Sequence, residues 1–300
     1  MRNHAYNLPP PMACTSVQAG VIAFLPVSNS YSKMKSAKPD YETPGQRRVL
    51  SLAAAVKYID ACGFCMLFAT KNVALPSLYH AVACRKPHED WVWDKYSSMV
   101  WRWKDELPRR RLAYYGKYFR GRGTLISLEQ LPNFLAMRET AVLPGDFARF
   151  YRAGRIRDDA RIIWQALEDY GPLATLELRN ACRMDTKAGN KRFKRAILDS
   201  QCLLVAVHFG AEQETKSWAS GRYELTYRAF PNQNEMARKI SVAEAQRNIT
   251  GKLLEHQPGV QPLQIARIFG WLKAEAVVAG RAARQSGLTP AALIALARSK

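Results

Sequence analysis

Between Asp185 and Ser200 the apolar positions recur with a helical period. Gly189, Phe193, Ala196, Ile197 and Ser200 gather on one side; Lys187, Lys191, Lys194 and Arg195 gather on the other, with Arg192 at the flank. Asn190 lies nearer the apolar seam, and Asp185 or Thr186 is placed to cap the first free amides. Downstream, Leu203–Phe209 and Arg222–Ala229 are rich in β-branched and aromatic residues, with Gly210 and Gly221 between them, which predicts a hairpin. Upstream, Asp158–Tyr170 repeats apolar residues at helical spacing, and after the Gly171-Pro172 break Leu173–Cys182 does so again. Helix, helix, basic helix, hairpin is the order of a winged helix, assigned here to residues 155–232.

The flanking regions follow less regular patterns. Residues 1–44 hold Pro9-Pro10-Pro11 and scattered serines and read as a disordered tail. Gln46–Cys62 predicts a helix ended by Gly63, then Phe64–Ala69 a buried strand and Leu75–Ala83 a helix. Glu89–Leu107 predicts a tryptophan-rich helix stopped by Pro108, Thr124–Leu128 a strand and Leu131–Thr140 a short helix. Residues 45–141 thus read as a first winged-helix-like domain with an aromatic and basic insertion, and residues 142–154 as a linker. Over residues 233–300, Val242–His256, Gln261–Phe269 and Leu272–Ser286 predict three helices of a third, truncated or divergent unit. The expected class is mainly α with small β-hairpins, arranged as tandem winged helices.

Composition narrows the partner. The 300 residues include 45 Lys+Arg against 25 Asp+Glu, a formal net charge of +20, so a polyanion is the expected ligand. Hydrophobic residues make up 48%, enough for a real core. Lacking an apolar run of membrane-spanning length and a secretory leader, the chain reads as a cytoplasmic, nucleoid-associated protein with no membrane partner. Six cysteines spread over this length read as reduced thiols. Cys62-Gly-Phe-Cys65, with His80 and Cys84 downstream, has spacing that zinc could use. Cys65, however, sits inside an apolar strand, where a thiol behaves as a small hydrophobe, so no metal is expected. No Gly-rich phosphate loop with a trailing Lys-Ser/Thr is present, and no small-molecule cofactor is expected.

Duplex DNA is the expected partner. Its phosphates are assigned to Lys187, Lys191, Arg192, Lys194 and Arg195 on the basic helix, with Asn190 beside a base edge if the helix tilts. Lys216, Trp218 and Arg222 fall on or beside the wing. A second candidate backbone-contact tract is Arg109, Arg110, Arg111, Lys117, Arg120 and Arg122, interleaved with Tyr114, Tyr115 and Tyr118; the alternative is a solvated connector.

The segments G-F-C-M-L-F, R-G-T-L-I-S and K-R-F-K-R-A-I-L-D-S-Q-C-L-L-V, in that order, resemble the AlkZ/YcaQ family of bacterial tandem winged-helix DNA glycosylases, nearest to its AlkZ-related branch, over about Gln46 to Trp271. The resemblance implies a concave basic surface that holds duplex DNA. It also implies a Gln-hydrophobic-Gln or Gln-hydrophobic-Asp motif after the first helix, and here Met66 and Phe68 occupy those positions. Neither side chain polarises water, so the family's mechanism does not carry over. If a glycosidic bond is still cut, Asp105 and Glu106, close to several tryptophans, are the weak catalytic candidates; the alternative is acids paired with Lys104 or Arg102 on a core helix. The leading reading is a DNA-binding, repair-related protein. The alternatives are an active DNA glycosylase with non-standard catalytic residues and a winged-helix transcription regulator.

Overall fold

The structure, a computed structural model, describes residues 48–71, 73–85, 90–212 and 219–286. The expected tail over residues 1–44, the hairpin positions Lys216 and Trp218 and the last part of the expected third unit, residues 287–300, lie outside the described residues.

The first half runs α1 (Leu52–Cys62), β1 (Phe64–Met66), α2 (Leu78–Ala83), α3 (Lys95–Arg109), β2 (Tyr114–Gly116) and β3 (Thr124–Ile126). Helix α1 starts six residues later than its periodicity predicts. The Ser51 side chain accepts from the Ala54 amide and fixes the first turn there. Gly63, at φ +73°, ends the helix and turns the chain straight into β1. Helix α3 likewise starts at Lys95 rather than Glu89. Asp94 and Ser97 form a reciprocal capping box, with Asp94 Oδ1 accepting from both Tyr96 N and Ser97 N. Pro108 does not stop α3 but occupies its last turn. The antiparallel sheet has the order β1-β3-β2, with Ile126 opposite both Phe64 and Tyr114.

Two helices follow, α4 (Leu131–Met137) and α5 (Asp146–Arg152). The expected linker over residues 142–154 therefore contains a helix, whose Phe150 is fully buried edge-on to Trp164 with ring centroids 5.2 Å apart. The second half then repeats the first: α6 (Asp158–Tyr170), β4 (Leu173–Ala174), α7 (Thr175–Ala181), α8 (Lys187–Cys202), β5 (Ala206–Glu212) and β6 (Ser220–Leu225). The sheet order is β4-β6-β5, the same spatial order as before. Leu173 and Ala174, expected in the helix, pair instead with Tyr223 and Arg222. The hairpin lies nearer its loop than predicted: Gly210, at φ +106°, sits in the register shift between His208 and Ala211, and Gly221 pairs with Ala211. The second strand stops at Leu225, and Thr226–Ala229 turns into a short helix, α9.

The chain continues through α10 (Pro231–Ala237), α11 (Val242–His256), α12 (Pro262–Phe269) and α13 (Lys273–Gln285). Rather than building a separate core, these helices share one with the first sheet. Phe64 meets Phe134 at 5.2 Å and Phe269 at 5.8 Å, and Ile249, Leu253 and Ile265 fill the same cluster. Each such ring, fully buried, contributes about 1.5–3 kcal/mol, so the C-terminal helices are cemented to the first half. The class is mainly helical with two small three-stranded antiparallel sheets, as the periodicities predict.

Candidate nucleic-acid interface

Helix α8 is built to hold one face in and the other out. Thr186 Oγ1 accepts from Gly189 N at 3.0 Å and caps the helix. Gly189 lets the first turn press onto the preceding backbone, since a Cβ there would lie 2.7 Å from Met184 Cα and carbonyl carbon. Arg179 braces that corner by donating to the carbonyls of Met184 and Asp185. Gly189, Phe193, Ala196, Ile197 and Ser200 are buried, the seam that the periodicity predicts. Phe193 and Ile197 pack with Ile163, Trp164 and Leu167 of α6.

Lys187, Lys191, Lys194 and Arg195 all point to solvent, and among the described residues no acid pairs with any of them. Four exposed like charges within three turns repel one another, a cost that a phosphate backbone relieves. Asn190 is half-buried beside the seam. Arg192 departs from expectation: its guanidinium is tied to Asp159 on α6, with Nε 3.1 Å from Oδ1 and 3.2 Å from Oδ2, so its charge is already met. At the other end of the helix Asp199 is paired with Arg157.

Of the expected hairpin contacts, Arg222 is the one among the described residues. Arg222 is paired with Glu212 at 3.4 Å and donates to the Pro172 carbonyl, which holds it to its own sheet.

The tract from Arg109 to Arg122 is also different from an aromatic-basic surface. Tyr114, Tyr115 and Tyr118 are buried, because this segment supplies β2 and its continuation to the first core. Several cations are engaged: Arg110 with Glu106 at 2.6 Å, Arg111 with the Ala229 carbonyl at 2.9 Å and Arg120 with the Arg267 carbonyl at 3.1 Å. Arg109, Lys117 and Arg122 are exposed. The tract ties distant segments together through Arg111 and Arg120, and all six of its cations are exposed.

Asp105 gains a partner that the sequence does not advertise. His208 Nε2, on β5, lies 2.5 Å from Asp105 Oδ1, and Lys104 Nζ donates to the same oxygen at 2.6 Å. The His208 side chain is 10% exposed and that of Asp105 24%. Tyr115 and Tyr223 stand edge-on to the imidazole at 5.3 and 5.7 Å. Gly221 makes the room, since a Cβ there would come 2.8 Å from His208 Cε1. Burial, aided by nearby Lys104, holds the imidazole below its ordinary pKa despite the Asp105 hydrogen bond. Burial opposes ionisation of Asp105 too, but the hydrogen bonds from His208 and Lys104 outweigh it and keep the carboxyl below the usual range. At neutral pH a neutral imidazole thus donates to a carboxylate. Glu106, the other acid considered, is occupied by Arg110.

Met66 is fully buried, and Phe68 is half-buried in a cluster of aromatic rings. Cys62 and Cys65 are buried too; desolvation pushes the Cys62 thiol up to about 12 and raises that of Cys65 well above its ordinary value, so both carry their protons. Among the described residues no three His, Cys, Asp or Glu side chains are grouped to hold a metal ion, and no helix is long and apolar enough to cross a membrane.

No curated protein and no solved structure matches the chain. The model of the family described as AlkZ related matches residues 49–270, from the buried approach to α1 through the end of α12. With well over half of its 300 residues inside that match, the chain belongs to the AlkZ-related family, relatives of the DNA-repair glycosylases.

Proposed function

We propose that this protein grips duplex DNA in the service of DNA repair, with α8 against the sugar-phosphate backbone and the β5–β6 hairpin alongside. The observation that carries the reading is the row Lys187, Lys191, Lys194 and Arg195, outward on a capped and anchored helix with no described acid to neutralise it. The twofold recurrence of helix, strand, helix, helix, strand, strand, with the first and last strands adjacent in both sheets, supports tandem winged helices. Helix α8 is then the third helix of the second unit, the one that such folds lay along a groove. Arg192, paired with Asp159, and Arg222, paired with Glu212, hold the unit together in this reading. Reversing Lys191 and Lys194 to Glu is expected to abolish retention on duplex DNA and on heparin without changing the unfolding midpoint. Undiminished retention would remove α8 from the interface.

A glycosylase reading is favoured by one observation, the Asp105–His208 pair, because a carboxylate positioned by an imidazole is chemistry that could activate water or steady a developing positive charge on the sugar. Incubation with an alkylated duplex, followed by alkali to reveal abasic sites, separates the two. Binding without strand scission supports a non-catalytic grip. Scission that Asp105→Asn removes supports the enzyme.

A further inference from the structure

A second surface carries its own signature. Trp93 is 57% exposed, Trp91 42% and Trp101 40%, an unusual amount of indole to leave in water. The rings are ordered rather than scattered. Phe68 lies 4.7 Å from Trp91 at an interplanar angle of 31°, and 6.4 Å from Trp101 at 28°, while Trp93 stands edge-on to Trp101 at 6.1 Å. The segment that bears Trp91 and Trp93 is pinned from beneath. Tyr79 accepts from the Val92 amide at 3.3 Å and donates to Asp94 at 3.1 Å. The indoles are therefore held open by the backbone.

Charge identifies the occupant. Lys95 and Arg102 are exposed on the helix that bears Trp101, while Lys104, 4.3 Å from the centre of the Trp101 ring, is buried and held by Asp105. Among the described residues the nearby acids are paired: Asp90 with Lys71 at 3.5 Å, Asp94 with the cap of α3 and Asp105 with His208 and Lys104. A second copy of this chain would bring the same cations against their like. An unpaired nucleotide brings a base π-face for the indoles and a backbone phosphate for the cations.

We infer that the Phe68–Trp91–Trp93–Trp101 cluster is a stacking platform for a nucleobase displaced from, or left unpaired in, DNA. This rests on the DNA-binding reading above and adds that the protein distinguishes irregular from fully paired duplex. The test uses two labelled duplexes identical except for a single-base bulge, with binding measured for the wild-type chain and for the variant Trp91→Ala/Trp93→Ala. The wild type is expected to bind the bulged duplex about tenfold more tightly, the scale of one base–aromatic stack. The variant is expected to bind both duplexes alike, at the wild-type affinity for the paired one. Trp93→Phe, which keeps a ring, is expected to retain the preference. Equal wild-type affinity for the two duplexes would overturn the platform while leaving the DNA grip intact; loss of all duplex binding would remove both. Flotation with anionic phosphatidylserine vesicles that the variant abolishes, without a preference for the bulge, would assign the indoles to a lipid surface and overturn the inference.

Discussion

The two halves of this molecule share one scaffold and use its third helix in opposite ways. Helix α3 and helix α8 follow the same two helices and precede the same pair of strands. Yet α3 turns its C-terminal half onto β5 of the other repeat, where Lys104 and Asp105 meet His208. Helix α8 packs one seam on its own repeat and leaves four cations in water. The acids make the difference. In α3 the acids near the C-terminal end are spent within the fold, Asp105 on Lys104 and His208 and Glu106 on Arg110, so that end of the helix serves as a joint. In α8 the only acid, Asp199, is consumed by Arg157, so the rest of the charge faces outward. A repeated fold thus yields one helix for cohesion and one for contact, decided by a few charged positions.

That division predicts unequal responses to mutation. The largest effect on stability is expected at the joint. Asp105→Ala leaves the His208 N–H and the Lys104 ammonium without their acceptor in a largely buried place, and should cost about 3 kcal/mol, read from the midpoint of urea unfolding. Next is Gly189→Ala. At an open helical site that change stabilises by about 1 kcal/mol, but here the new Cβ meets Met184 backbone at 2.7 Å. The clash should win, with a net loss of about 2 kcal/mol in the same experiment.

A smaller effect appears with pH. His208 keeps a depressed pKa in the folded state, so the unfolded chain takes up its proton first as the pH falls below about 6.5. The imidazole's contribution is complete above that value and is lost on the way down to its folded pKa. Asp105, also depressed, adds a further loss as the pH falls below its ordinary value of 3.8. Thermal unfolding followed from pH 7.5 downward should therefore show a decline that begins near pH 6.5, and His208→Gln, which retains a donor, should flatten that first part. An unchanged profile in the variant would detach the imidazole from acid sensitivity.

How much of this was legible beforehand varies with the distance of the contacts involved. The buried seam of α8 follows from a period of 3.6 alone, and all five of its positions are where the spacing puts them. Helices α6 and α11 also match their periodic segments from end to end. Helices α1 and α3 start later than the pattern predicts because apolar spacing continues past the residue that caps, and a cap outranks a weak extension of the pattern. The tyrosines at 114, 115 and 118 looked like surface aromatics because arginines surround them; a three-residue strand between turns is too short to show its alternation. The Asp105–Lys104 pair is one that the sequence offers; the distant partners of Arg192 and Asp105 are not. Those partners lie 33 and 103 residues away, and no local pattern announces Asp159 or His208. The one available hint was a histidine inside the apolar run V-A-V-H-F, a polar group that must find a partner if the strand is buried.

The comparison is most directly tested by the salt dependence of duplex binding. Neutralising a residue that contacts a phosphate should lower the slope of log affinity against log salt by about 0.9. Lys191→Ala is expected to show that loss. Arg192→Ala, on the same helix but already bound to Asp159, is expected to leave the slope of the wild type in place. Equal losses from both, or no loss from Lys191→Ala, would contradict the claim that α8 meets DNA through its unpaired cations.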